Sequence, residues 1–236
     1  MAVHFQHRLT LPAIMVCLLL VFIGLGYAMV RYPTETTQPQ GMTPSALGVQ
    51  LNQNVGYVDM HQLQNSNISF VYLMGTQGRS YFDNSYLTFR SQLLGTKMAF
   101  GTIIKYSDQS TSRQHYRFLR ETIGQDVGTL PILIELASSS RSYHYLSSLR
   151  RFTRHLQAHH HRIMLALSAR YRGFFPAETR FLWAGSRLSN RSQYAFWQYT
   201  NNGHVSRVAN LDKQVTMYTY TGTSLQYKER YGQLTQ

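Results

Sequence analysis

The chain has 236 residues, 43% of them hydrophobic and 13% aromatic, which is enough apolar material for one sizeable core and too much for a disordered chain. Lysine and arginine number 23 against 10 acidic residues, a formal net charge of +13; this favours an anionic partner such as a wall polymer, a membrane surface or a nucleic acid, and says nothing about fold. Cys17 is the single cysteine, so an intramolecular disulfide and a cysteine metal cluster are both excluded.

Residues 1–31 read as an address. Leu9–Val30 is uncharged over 22 residues and flanked by Arg8 and Arg31; at about 1.5 Å per helical residue it matches the roughly 30 Å hydrocarbon core. A retained single-pass transmembrane helix is expected, with the N-terminus inside and the remainder extracytoplasmic. Cleavage after the small-x-small site Gly26-Tyr27-Ala28, giving a secreted chain, is the competing reading. Residues 32–46 carry Pro33, Pro39 and several threonines without apolar period, the pattern of a linker.

From Leu47 onward strand and helix patterns alternate. Leu47–Leu51 and Phe70–Met74 read as strands, the second ending in the small and amide residues Gly75-Thr-Gln-Gly78. Tyr86, Phe89 and Leu93 recur at helical spacing and stop at Gly95, Lys97–Ile104 is a further strand, and Tyr116, Leu119 and Ile123 mark a helix ended by Gly124. Gly128–Ala137 is an almost continuous apolar run with one carboxylate, Glu135, the pattern of a strand buried on both faces that opens into a site. A lone acid there is expensive unless it is used or paired. Tyr143–His161 gives a basic amphipathic helix with Leu146, Leu149, Phe152 and Leu156 on one face. His155 and His159 stand four apart, but without a local carboxylate they read as a solvated helix end, and no metal is expected. Arg162–Ser168 and Arg180–Ala184 are further strands, and Tyr194–Tyr199 followed by Asn201-Asn-Gly203 reads as a hairpin. Strands alternating with helices predict a mainly parallel α/β sheet, open or closed into a barrel.

The following motifs, in this order, resemble those of the glycoside hydrolase family 25 lysozymes, muramidases that cut the β-1,4 bond after N-acetylmuramic acid in peptidoglycan. The first strand, usually Gly-Ile-Asp-Val-Ser and then Ile-Asp-Trp, is here Gly48-Val-Gln-Leu-Asn52 and Val58-Asp-Met60. The family's Phe-Val-x-x-Lys-Ala-Thr-Glu-Gly is similar to Phe70-Val-Tyr-Leu-Met-Gly-Thr-Gln-Gly78, with Tyr81 and Asp83 following. Gly-Ala-Tyr-His is matched only by Gly101-Thr-Ile-Ile104, and Leu-Pro-x-x-Leu-Asp-x-Glu by Leu130-Pro-Ile-Leu-Ile-Glu-Leu-Ala137. The closing Trp-Gln-Tyr, Gly turn and Val-Asp-x-Asn segment looks like Trp197-Gln-Tyr199, Gly203 and Leu211-Asp212.

The resemblance implies a TIM-like (β/α) barrel of the family 25 lysozyme type over residues 47–218, leaving 219–236 as a polar C-terminal tail. It places the general-acid position at Ala137, its paired acid at Glu135 and the first-strand acid at Gln50, with Asp212 alone retained. The family's Lys and Glu become Met74 and Gln77, and its Tyr-His pair becomes Ile103-Ile104. Glycosidic cleavage needs a proton donor and a second group for the oxocarbenium-like centre, so the expectation is a weak or inactive enzyme. Its amide-lined groove would hold peptidoglycan or a related anionic wall polymer through Gln50 and Gln77, with Trp183, Trp197 and Tyr199 as sugar-stacking candidates. The open alternatives are a working muramidase using Glu135 and Asp212, and a protein-interaction scaffold with a vestigial groove. No cofactor is expected. A nucleic-acid partner is not expected either, because no binding module is recognisable and the domain is placed outside the cytoplasm.

Overall fold

The alternation of apolar strands and amphipathic helices closes on itself. A computed structural model of the protein describes residues 7–31, 35–41 and 45–232. Eight strands form the barrel: β1 (Leu47–Leu51), β2 (Ile68–Gln77), β4 (Ala99–Tyr106), β5 (Ile132–Leu136), β6 (Ile163–Leu165), β7 (Arg180–Ala184), β8 (Phe196–Gly203) and β9 (Val215–Tyr220). A two-residue strand, β3 (Tyr81–Phe82), hangs on the end of β2. Neighbouring strands are parallel throughout, except that β9 runs antiparallel between β8 and β1, and the β1–β2 pairing completes the ring.

Two separate layers explain why the strands read as continuous apolar runs. Inside the barrel, Phe70, Tyr72, Leu133, Met164, Leu182, Phe196 and Tyr218 form one buried cluster. Outside it, Val49, Val71, Ile104 and Ile134 pack against the helices. Helix α2 (Met60–Asn65) contributes Leu63, α3 (Tyr86–Leu93) contributes Phe89 and Leu93, α4 (Ser112–Thr122) contributes Leu119, and α5 (Tyr143–Ala158) contributes Leu149, Phe152 and Leu156. Small residues make room for the large ones. A Cβ at Gly48 would lie 2.1 Å from the Phe70 ring, and one at Gly101 would lie 2.6 Å from Tyr72.

Local chemistry sets the helix starts. Asp59 caps α2 by accepting from the backbone of His61 and Gln62, Ser142 caps α5, and Thr111 with Gln114 forms a reciprocal capping box on α4. The expected helix over Tyr143–His161 stops at Ala158, because His160 turns into the left-handed region at φ 64°.

Both flanks differ from expectation. The segment 219–236 is no featureless tail over its described part. Thr219 and Tyr220 end β9, and α6 (Ser224–Arg230) follows from a second capping box, Thr223 with Gln226. Tyr220, Tyr227 and Tyr231 are buried beneath Phe70 and Phe196, closing the barrel floor. Tyrosine makes this possible in a polar-looking sequence, since its ring buries while the hydroxyl finds a partner; Tyr227 Oη donates to the Ser69 carbonyl at 3.2 Å. Within the expected linker, residues 35–41 are laced to the β8–β9 loop: Thr37 N–H donates to the His204 carbonyl at 3.0 Å, and Ser206 N–H to Thr36 Oγ1 at 3.1 Å. The linker positions 32–34 and 42–44, the tail positions 233–236 and residues 1–6 lie outside the described residues.

Helix α1 spans His7–Arg31. Its side chains are described for residues 12–24, all exposed. Among the described residues no helix is long and apolar enough to cross a membrane.

Candidate functional site at the barrel mouth

Because β-strand side chains alternate, Leu133, Glu135 and the position of Ala137 share the inward side of β5. The parallel register carries that row across the mouth, pairing Glu135 with Lys105 of β4 and Lys105 with Gln77 of β2. Glu135 and Lys105 are half-buried and Gln77 is exposed. Among the described residues the one ion pair formed is Arg117–Glu121, at 3.9 Å. Lys105 therefore acts on Glu135 through space, and no described residue hydrogen-bonds to the Glu135 carboxyl group. Burial raises the proton affinity of that group above the ordinary carboxylate range, and the Lys105 charge partly offsets the rise.

Gln50 enters from β1. Tyr218 of β9 donates its hydroxyl to Gln50 Oε1 at 2.6 Å. Burial raises the proton affinity of that phenol, and negative charge on Glu135 pushes the same way. Tyr72 is tied off by its own hydroxyl, which donates to the Pro131 carbonyl at 3.1 Å. Gln198, paired in register with Tyr218, stands on the inward side of β8. The mouth thus presents one acid, one lysine, the amides of Gln50, Gln77 and Gln198, and a buried phenol.

Around these groups the positions that the family fills with polar residues are apolar. Met74 and Ile103 are buried in the barrel interior, whereas Ile104 points outward into the helix-packed layer. Ala137 continues the ladder past the end of β5 by donating its N–H to the Tyr106 carbonyl at 2.9 Å, and it is exposed.

Not every expected residue belongs to this site. Asp212 lies in the β8–β9 loop, at the same end of the barrel, but Glu135 feels burial and Lys105 and no second carboxylate. Trp197 and Tyr199 are corrected from sugar-stacking candidates to packing residues. Trp197 is 0% exposed and its indole N–H donates to the Gly185 carbonyl at 2.6 Å. Tyr199 is 7% exposed, with its hydroxyl donating to the Thr37 carbonyl at 2.8 Å. Trp183 pairs with Trp197 on the same outward parity, half-buried, its N–H on the Arg187 carbonyl at 2.7 Å. The strand alternation that sends Trp197 and Tyr199 outward is what turns Gln198 inward.

Asp83 is also structural. Its carboxylate is buried and accepts from the backbone of Gln53 and Ser85, at 2.9 and 3.0 Å, clamping the β1 loop to the start of α3. His155 and His159 face each other at 5.1 Å between ring centres, and Tyr116 stacks on His159 at 4.1 Å. Among the described residues no group of three or more His, Cys, Asp or Glu side chains is placed to hold a metal ion.

No protein-family model and no curated protein matches the chain by sequence. Solved structures match it by shape. A family 25 glycosyl hydrolase from Bacillus anthracis is similar with a TM-score of 0.68 and 18% identity, over 84% of this chain and 98% of that one. A bacterial lysozyme from Streptomyces coelicolor gives 0.63 and 15%, over 78% and 96%, and a family 25 lysozyme from Aspergillus fumigatus gives 0.59 and 13%, over 80% and 99%. The barrel of this chain has the family 25 lysozyme fold.

Proposed function

We propose that the chain is a membrane-anchored, extracytoplasmic lysozyme-like domain that binds the glycan of peptidoglycan and hydrolyses it weakly or not at all. The observation that carries this reading is the isolation of Glu135. It is the one carboxyl group on the inward strand row, with amides in place of partner acids and an alanine where a second carboxyl would stand. Its raised proton affinity suits a proton donor, but cleavage also needs a group to stabilise or trap the positive centre that develops on the sugar. Amides at Gln50, Gln77 and Gln198 can hold acetamido and hydroxyl groups without charge. The uncharged segment Leu9–Val30 and the exposed apolar side chains of α1, among them Leu18, Leu19, Leu20 and Phe22, support the anchor.

The test uses the full chain in neutral detergent, mixed with labelled bacterial cell walls. The expected result is sedimentation with the walls and little release of label. A slow muramidase is the second reading, favoured by the protonatable state of Glu135; release of label that disappears in Glu135→Gln would establish it. Failure to sediment at moderate salt would replace both with a scaffold role.

A further inference from the structure

At the end of the barrel opposite Glu135, a groove of about 620 Å³ opens between the starts of β7 and β8 and the turn into α6. Four arginines line it: Arg172 from the 3-10 turn Ala169–Phe174, Arg180 at the start of β7, Arg191 from the 3-10 turn Arg191–Gln193, and Arg230 at the end of α6. No aspartate or glutamate lines it, and none of the four arginines forms an ion pair among the described residues.

Neutral partners hold the guanidinium groups in place. Arg172 donates to the Gln193 carbonyl and lies 4.8 Å from the centre of the Phe181 ring. Arg180 donates to the Tyr231 hydroxyl, Arg191 to the carbonyls of Thr221 and Gly222, and Arg230 to the Tyr220 hydroxyl at 3.4 Å. A guanidinium has five N–H donors, so each retains several for a ligand while its plane is already fixed. Fixed arginine forks without acidic partners match the oxygens of phosphate, which they hold bidentately.

We propose that this groove is a binding site for phosphate esters and that its natural occupant carries two or more phosphates, as a phosphodiester polymer does. Four guanidiniums spread over four chain segments exceed what the oxygens of one phosphate engage, and the groove has the size of a ligand site. The site is separate from the mouth and does not depend on what the mouth binds.

Calorimetric titration of the full chain in neutral detergent tests the proposal with inorganic phosphate, tripolyphosphate, long-chain polyphosphate and phosphatidylglycerol as probes. Tripolyphosphate and polyphosphate should bind at least tenfold more tightly than phosphate. Arg180→Gln with Arg230→Gln should weaken them about a hundredfold, at about tenfold for each charged hydrogen bond lost. Arg113→Gln with Arg151→Gln removes the same charge from α4 and α5 and should weaken them less than threefold. If the first pair abolishes the thermal transition, Arg172→Gln with Arg191→Gln takes its place. Equal losses in the groove and control pairs would overturn the proposal in favour of general charge attraction. It also falls if phosphate binds as tightly as tripolyphosphate, if phosphatidylglycerol alone binds, or if no probe binds.

Discussion

Replacing Ala137 by glutamate tests whether a second carboxyl group on the inward side of β5 raises the rate at which this barrel cleaves cell-wall glycan. The Ala137 N–H continues the strand ladder onto Tyr106, so the new side chain would leave the backbone on the same side as Glu135. At about 3.3 Å per residue the two Cα atoms stand about 6.6 Å apart. Parallel side chains keep their carboxyl groups near that spacing, at the lower edge of the ~6.5–9.5 Å of inverting glycosidases and about 1 Å beyond the spacing of retaining ones. A positioned general acid contributes about 10² to 10⁴ in rate. With Gln50 still uncharged, the lower figure, about a hundredfold gain over the wild-type chain, is expected. A second carboxylate also raises the proton affinity of Glu135, so the gain should be largest on the acid side of neutrality. Release of label from cell walls, followed from about pH 4 to about pH 7, is the assay, and Ala137→Gln is the control of equal size. Equal rates for Ala137→Glu and Ala137→Gln, with wall binding intact in both, would refute the reasoning.

Glu135→Gln should stabilise the fold at neutral pH. A carboxyl whose folded-state proton affinity is raised contributes fully below its unfolded pKa and loses that contribution as pH rises through the folded value, so the variant's advantage in thermal melting should vanish on acidification; a variant less stable at neutral pH would contradict this. Trp197→Ala should cost about 3–5 kcal/mol in denaturant unfolding, because the ring is wholly buried, and any loss of wall binding should follow the loss of fold. His115 lies between Tyr106 and Phe152, at 5.1 and 4.8 Å, with Nε2 on the Ser107 carbonyl, and burial lowers its pKa. Stability attached to it is present above the ordinary histidine value and is lost as pH falls through the depressed one; urea midpoints should therefore fall less on acidification in His115→Gln than in the wild type.

The interior strands and the packed faces of the helices were legible because their apolar periods are long and clean. Phe89 and Leu93 on α3, and Leu149, Phe152 and Leu156 on α5, stand where helical spacing puts them. The barrel's closing strand and floor were not legible, since Val215–Tyr220 and the turn into α6 are rich in threonine and tyrosine, residues whose polar ends hide how much of them is buried. At the mouth, Glu135 stood out as a charge in an apolar run. Lys105 was missed because the predicted strand stopped at Ile104, one residue short of the next inward position after Ile103. Trp197 and Tyr199 were misread because aromatic identity was given more weight than parity, and the same parity conceals Gln198 between them.

The two ends of the barrel divide the chemistry of the chain. At the mouth, burial raises the proton affinity of Glu135, and a ligand held there by the surrounding amides would be held by hydrogen bonding, which salt screens little. At the floor, guanidiniums without acidic partners gather where strands begin and α6 ends, and exposed charge of that kind is screened within about 10 Å at 0.1 M salt. Wall binding that passes through the mouth should therefore survive moderate salt, whereas binding of polyphosphate at the floor should weaken steeply with it. Titrating both ligands across ionic strength on the same preparation separates the two sites without any substitution, and parallel salt dependence would place both ligands on one basic surface.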